Sequence, residues 1–249
     1  MRLGGIYALE QIARASPSEH GAIVEILAAY VRGHAAAAAP EAEPAGSPLR
    51  VRAADVQAAM TVLGRRTVLP GDPPMLQLDG LDLRAASLAG AHLELADLSG
   101  SDLAGSWLRA AALGGANLER ARLAGSDLGQ AVLAQARLEE ADLRGAALAE
   151  ANLAAAHLRR TNLRGADLSG SDLTGANLGD ANLSEARLEG AKLEGAVFGE
   201  ANLWQAKLAG ANLRGADLSR GTLVEADLRR ATADRRTPGR AASTGGRPA

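Results

Sequence analysis

The chain has 249 residues, a formal net charge of -2 and no cysteine, which excludes disulfides, thiolate nucleophiles and cysteine-ligated zinc. The near-balanced charge gives the whole chain no strong polyanion-binding or polycation-binding signal. One Phe, two Tyr and two Trp are too few to fill an irregular core, so the interior is expected to be narrow and regular.

Residues 1–34 read as a helical pair. Ile6, Leu9, Ile12 and Ala13 space as one apolar face, Ser16-Pro17-Ser18-Glu19 supplies a break with a capped new start, and Ile23, Ile26, Leu27, Tyr30 and Val31 form the second face. Residues 35–50 are rich in Ala, Pro and Glu and read as a disordered linker. Residues 51–75 hold a capping helix and lead-in, with Val56, Met60 and Leu63 on one side, Asp55 as its cap and Arg65-Arg66 suiting its C-terminal dipole. Residues 232–249 read as a basic, disordered tail. No run of about 18 apolar residues occurs, and no signal-peptide core opens the chain, so no membrane span and a cytoplasmic setting are expected.

Between these segments lies the dominant feature. Every fifth residue from Leu78 to Leu228 is leucine, thirty times in thirty-one positions, with Phe198 the exception. Five residues overshoot a helical turn by about 140°, so these leucines would form no stripe on a helix. On a strand they would alternate between faces. They share one interior only if the chain turns a corner at each repeat. Two residues before the leucine, Ala stands in 23 of 31 units, and Asp or Asn directly precedes it in 16. Gly stands two residues after it in 14. A small residue fits beside an inward leucine, Asp and Asn bond nearby turn amides, and Gly relaxes the corner.

This Ala-(Asp/Asn)-Leu-x-x pattern over 76–231 resembles the pentapeptide repeat family. The resemblance implies an all-β solenoid, a right-handed quadrilateral β-helix with one unit per side and 20 residues per coil. Seven to eight coils at strand spacing give a rod roughly 37 Å long. The segments RLGGIYALEQIA and DVQAAMTVLGRR resemble the YALE-like helical region of actinobacterial relatives, in which further chain, often membrane-spanning, lies upstream. The resemblance implies that here the anchor is absent or the true start lies before Met1.

Counting by twenties stacks Arg120, Glu140, Arg160, Asp180, Glu200 and Arg220 on one corner, where near-alternating signs predict a surface charge ladder. Trp107 replaces the usual Asp/Asn, and Trp204 follows Leu203; both are expected outside, as candidate partner-binding residues. His92 and His157 fall on different sides and cannot converge on a metal, and His20 and His34 read as ordinary surface residues. No catalytic, cofactor or metal site is expected, because a filled rod has no pocket for convergent groups.

The expected function is therefore a non-enzymatic scaffold or protein-interaction module with an unnamed protein partner and no direct nucleic-acid binding. The resemblance implies one alternative, topoisomerase protection by DNA mimicry. Against it, residues 76–230 interleave 21 Asp+Glu with 16 Lys+Arg, and Pro238-Gly239 stands where a dimerising helix would be needed. A β-helix has open ends that recruit other chains. Leu76 and Leu81 enlarge the small position beneath the capping helix. The last coil has no such cover, so the basic tail is expected to shield it or a homodimer to form through it.

Overall fold

The computed structural model describes residues 2–35, 49, 53–67, 69 and 75–234. The expected linker and tail lie outside these residues apart from their flanks. Among the described residues three helices of defined extent come first: α1 (Arg2–Ala15), α2 (Pro17–His34) and α3 (Ala54–Arg65). Pro17 begins α2, where its missing N–H costs nothing. The helices pack on one another through Ile6, Ala13, Ile23, Leu27, Val31, Val62 and Leu63, all buried.

Three details depart from the sequence reading, while Arg65 keeps its expected place in the last turn of α3. Ile12 and Ile26 are exposed, because the inward face of each helix is set by where α3 packs and not by helical spacing alone. Asp55 does not cap α3, whose N-cap is Ala53; it accepts a 2.6 Å hydrogen bond from the Tyr30 hydroxyl and ties α3 to α2. Arg65 reaches across to Glu10 at 3.2 Å. His20 is buried, with Nδ1 3.2 Å from the Ala13 carbonyl oxygen.

The repeat then winds in coils of twenty residues. Gln77 pairs with Asp97, Asp82 with Asp102, Ser87 with Trp107 and His92 with Ala112, and the series runs on, always parallel, to Asn212 with Thr232. Four such columns are the four sides of a square. Each side contributes one bridged residue before the chain turns, so no side extends into a longer strand. The leucines from Leu78 to Leu213, Phe198 and the small residues that stand two positions before them from Ala86 onward are buried, filling the interior with one repeated side chain. Burying a leucine contributes about 1.5–3 kcal/mol before chain entropy is subtracted.

Each corner is a four-residue turn. In the unit of Leu83, the Ala86 N–H donates to the Leu83 carbonyl at 3.1 Å, and Ala85 between them has φ 52°. A positive φ at the third position is the mark of a type II turn, which explains the fourteen glycines there. It recurs in all thirty leucine units. The Phe198 unit alone differs: the left-handed residue is Gly199, one position early. The amides of Asp180 and Glu200 there make none of the bonds to the next coil that their counterparts make. The one aromatic in the core coincides with the one altered corner.

The first coil would present an open β edge, and the helices close it side by side. Arg32 donates to the Gln77 carbonyl at 3.0 Å, and the Asp82 N–H donates to the Ala35 carbonyl at 2.7 Å. The Gln57 amide imitates a backbone, donating to the Ser87 carbonyl at 2.9 Å and accepting the Ser87 N–H at 2.8 Å. On the last side, the His92 N–H reaches the Gly64 carbonyl at 2.8 Å, and Arg66 reaches the His92 carbonyl at 2.8 Å. Gly64 is required here, since a Cβ would lie 2.8 Å from that of Ala91. The far end differs: Leu228 is 40% exposed, and the Leu218, Leu223 and Leu228 amides have no acceptor among the described residues.

Gln57→Ala removes both bonds to Ser87 and is expected to cost about 1–2 kcal/mol; Gly64→Ala is expected to cost at least as much. Thermal unfolding checks both, and unchanged midpoints would show that the helices do not seal the edge.

Candidate interaction surface

The outer surface follows from where each unit's five amides go. In the unit containing Asn152, the Ala151 N–H closes the preceding turn and the Asn152 N–H bonds to the coil before. The Leu153 and Ala155 N–H groups bond to the coil after. The Ala154 N–H has no backbone acceptor and is met by Asn152 Oδ1 at 3.0 Å. All sixteen Asp and Asn residues at this position make the same bond to the amide two residues on, at 2.9–3.3 Å. The carboxylates are thus turn-builders. Where two of them stack on neighbouring coils, as Asp82 and Asp102 do, each is also ion-paired to an arginine, Arg84 at 2.7 Å and Arg122 at 3.4 Å.

This duty tunes their ionisation. The Arg144 side chain holds the Asp142 carboxyl below its usual range. The Ser219 N–H does so for Asp217, and the Arg229 guanidinium for Asp227. At Asp167 and Asp172 burial pushes upward. The hydroxyl and N–H groups of Ser169 and Thr174, with Arg187 and Lys192 on the next coil, outweigh it, and both end lowered.

The six residues of the expected ladder fall on one corner, and the structure joins some of them. Arg120 lies 2.9 Å from Glu140, which also meets Arg160 at 2.6 Å. Arg120 holds the Glu140 carboxyl below its usual range, and Arg160 adds to the effect. Arg220 meets Glu200 at 3.2 Å. Asp180 is not joined to Arg160 but to Arg159, at 2.8 Å. Asp180 and Glu200 are like charges flanking the altered Phe198 corner, and the run breaks there. Ion pairs also cross coils elsewhere, as Arg122 with Asp102 at 3.4 Å, Arg187 with Asp167 at 3.5 Å and Lys192 with Asp172 at 3.5 Å. Exposed pairs of this kind add little stability, but they leave the rod's negative charge interrupted on every side.

Trp107 and Trp204 are 42% and 37% exposed. Trp107 stands mid-side on the column of Ser87 and Asp127, whereas Trp204 occupies a corner of another side, so the two form no common patch. His92 lies 3.2 Å from Glu94, and His157 3.4 Å from Glu139. No three His, Asp or Glu side chains gather in a metal-binding group among the described residues. A cavity of about 400 Å³ opens between the helices, walled by Ile23, Val24, Leu27 and Leu63 beside the buried Glu10. Glu10 is ion-paired to Arg14 at 2.8 Å and to Arg65. Sequence reasoning missed this carboxylate; the four-residue spacing to Arg14 was the available signal.

The repeat can now be matched to known proteins. A family model for pentapeptide repeats matches in eight copies, over residues 77–115, 111–148, 141–180, 181–203 and 196–232. The chain belongs to the pentapeptide repeat family. Its solenoid is the right-handed quadrilateral β-helix of that family. The match begins at residue 77 and leaves the helical segment outside it. A pentapeptide repeat protein of the Arabidopsis thaliana thylakoid lumen is 33% identical over 38% of this chain and 66% of its own, with TM-score 0.37. HetL from the cyanobacterium Nostoc, involved in heterocyst differentiation regulation, is 33% identical over 64% of this chain and 86% of its own, with TM-score 0.25. QnrB1, a plasmid-mediated fluoroquinolone resistance protein, is 20% identical over 56% and 84%, with TM-score 0.32. No curated protein matches the chain.

Asn177→Ala is expected to cost about 1 kcal/mol by freeing the Gly179 amide, while Asn177→Asp keeps the bond. The lowered carboxyls give stability that is complete above their unfolded value near pH 4 and is lost as pH falls through the depressed folded values. Replacing Asp142, Asp167, Asp172, Asp217 and Asp227 together by Asn keeps the turn bonds and should flatten this acid limb. Unfolding midpoints between about pH 5 and pH 2 decide; an unchanged slope contradicts the assignment.

Proposed function

We propose that the chain is a non-enzymatic interaction module, a rigid rod that binds a protein partner through its outer sides, with Trp107 as the principal anchor and Trp204 as a second, separate contact. One observation carries the reading. The interior is filled, so only the outer surface can bind, and on the side of Trp107 an indole stands exposed where the repeat calls for a small polar turn-builder. Exposed aromatics among small neighbours are typical binding anchors. The rod of seven to eight coils, about 37 Å at strand spacing, holds such anchors at fixed separation. A cytoplasmic setting belongs to the same proposal, supported by the absence of cysteine. Among the described residues no helix is long and apolar enough to cross a membrane. DNA mimicry is disfavoured, because arginines of neighbouring coils interrupt the negative field that a mimic needs. The corner ladder is assigned a structural role.

End-to-end pairing through the last coil is part of the proposal, supported by the exposed Leu228 and by upward amides without acceptors among the described residues. In dilute solution, light scattering is expected to find dimers of the full chain and monomers of the Leu228→Asp variant, which puts a charge on the exposed face of the last coil. Monomers in both cases remove this contact.

Trp107→Ala is expected to leave the unfolding midpoint within about 0.5 kcal/mol of wild type and to weaken capture of the partner from host lysate at least roughly tenfold. Equal capture of the same bands by both proteins would discard Trp107 as the anchor. No inhibition of gyrase supercoiling at micromolar protein is expected; inhibition would favour the mimic.

A further inference from the structure

The side that carries His92 has a different character from the rest of the rod. Its centre-line reads His92, Ala112, Val132, Asn152, Asp172, Lys192 and Asn212, one residue per coil. Across its first four coils this side holds one acidic residue, Glu94, which lies 3.2 Å from His92, and it contains Leu95, the most exposed large apolar residue on the rod at 56%. Leu95 is also strained. It is the only bulky apolar side chain among the non-glycine residues at positive φ, at 58°, a conformation that is unfavourable for L-residues and most of all for large ones. Leu95 lies against Gly115, where an added Cβ would sit 2.8 Å from its Cδ2. Glycine would relieve both the strain and the exposure. A residue that is unfavourable twice over in the isolated rod points to a contact outside it.

We propose that this side binds a second copy of the chain, antiparallel, about a two-fold axis between the coils of Ala112 and Val132. The reason is self-complementarity. With that axis, the first coil of one copy faces the fourth of the other, and the second faces the third. Each large outward residue then meets a small one: Leu95 faces Ala155, Val132 faces Ala112, and Gln135 faces Gly115. The centre-line pair left over, His92 and Asn152, can share a hydrogen bond. Beyond this strip, Asp172 faces the basic end of α3 at Arg65–Arg66, placed there by the bond from Arg66 to the His92 carbonyl. A parallel pairing would instead set Asp172 on Asp172 and Lys192 on Lys192. Four coils give a strip only about 19 Å tall, so the association is weak, in the class of small transient interfaces. This surface is separate from both Trp107 and the last coil.

The absence of cysteine makes the register directly testable in the full chain. Under the proposed axis, residues at position 112 of the two copies are offset by about 5 Å along the rod, and those at position 192 by about 34 Å. Ala112→Cys should therefore cross-link to a covalent dimer with a short bismaleimide at high protein concentration, and Lys192→Cys should not. Adding Leu95→Gly to Ala112→Cys should raise the unfolding midpoint and reduce cross-linking roughly tenfold. Cross-linking at both positions would overturn the antiparallel register, and cross-linking at neither would overturn the dimer. Cross-linking unaffected by Leu95→Gly would remove Leu95 from the contact. Adding Leu228→Asp, which puts a charge on the last coil, should leave cross-linking at position 112 unchanged, which separates this interface from end-to-end pairing.

Discussion

The structure rests on one constraint: in a chain that turns every five residues, every backbone N–H must still find an acceptor. One amide per unit closes the turn and three bond to neighbouring coils. The fifth lies where no carbonyl of the neighbouring coils reaches, and the side chain just before the leucine meets it in the sixteen units where that residue is Asp or Asn. That is why Asp and Asn recur there, and why the acidic groups of this protein are structural before they are anything else. The leucine interior supplies the driving force, but the amide accounting decides the spacing, the corner geometry and the side chains left pointing outward.

The same constraint explains both ends. At the first coil the free edge is met by groups that imitate a further coil: the Gln57 amide, the Ala35 and Gly64 carbonyls and two arginines. At the last coil the leucines become progressively exposed and the amides lack acceptors among the described residues. The helical segment is thus a termination device, and among the described residues the rod is closed at one end and open at the other.

Much of this was legible in the sequence because the repeat is self-indexing. A five-residue count with no insertion determines which residue points inward, and twenty per coil determines which residues stack; Arg120, Glu140 and Arg160 fall together as that count requires. What was not legible depended on contacts between unlike elements. Ile12 and Ile26 lie on apolar helical spacings but face outward, since α3 chooses the buried side. His20 is buried for the same reason. Asp180 turns to Arg159 beside the corner that Phe198 alters, a shift that periodicity hides because the residue count is unchanged. Leu95 was passed over because it occupies an ordinary repeat slot; only its positive φ and exposure mark it out.

Amide hydrogen exchange tests the central claim most directly. Ala134 and Ala154 occupy the same slot on the same side, one coil apart, but only Ala154 has an Asn Oδ1 acceptor; the preceding residue in the other unit is Val132. The Ala154 amide should exchange far more slowly than that of Ala134, while the inward-facing amides of both units are equally protected. Equal exchange at Ala134 and Ala154 would contradict the claim that the residue before the leucine is chosen to satisfy the fifth amide.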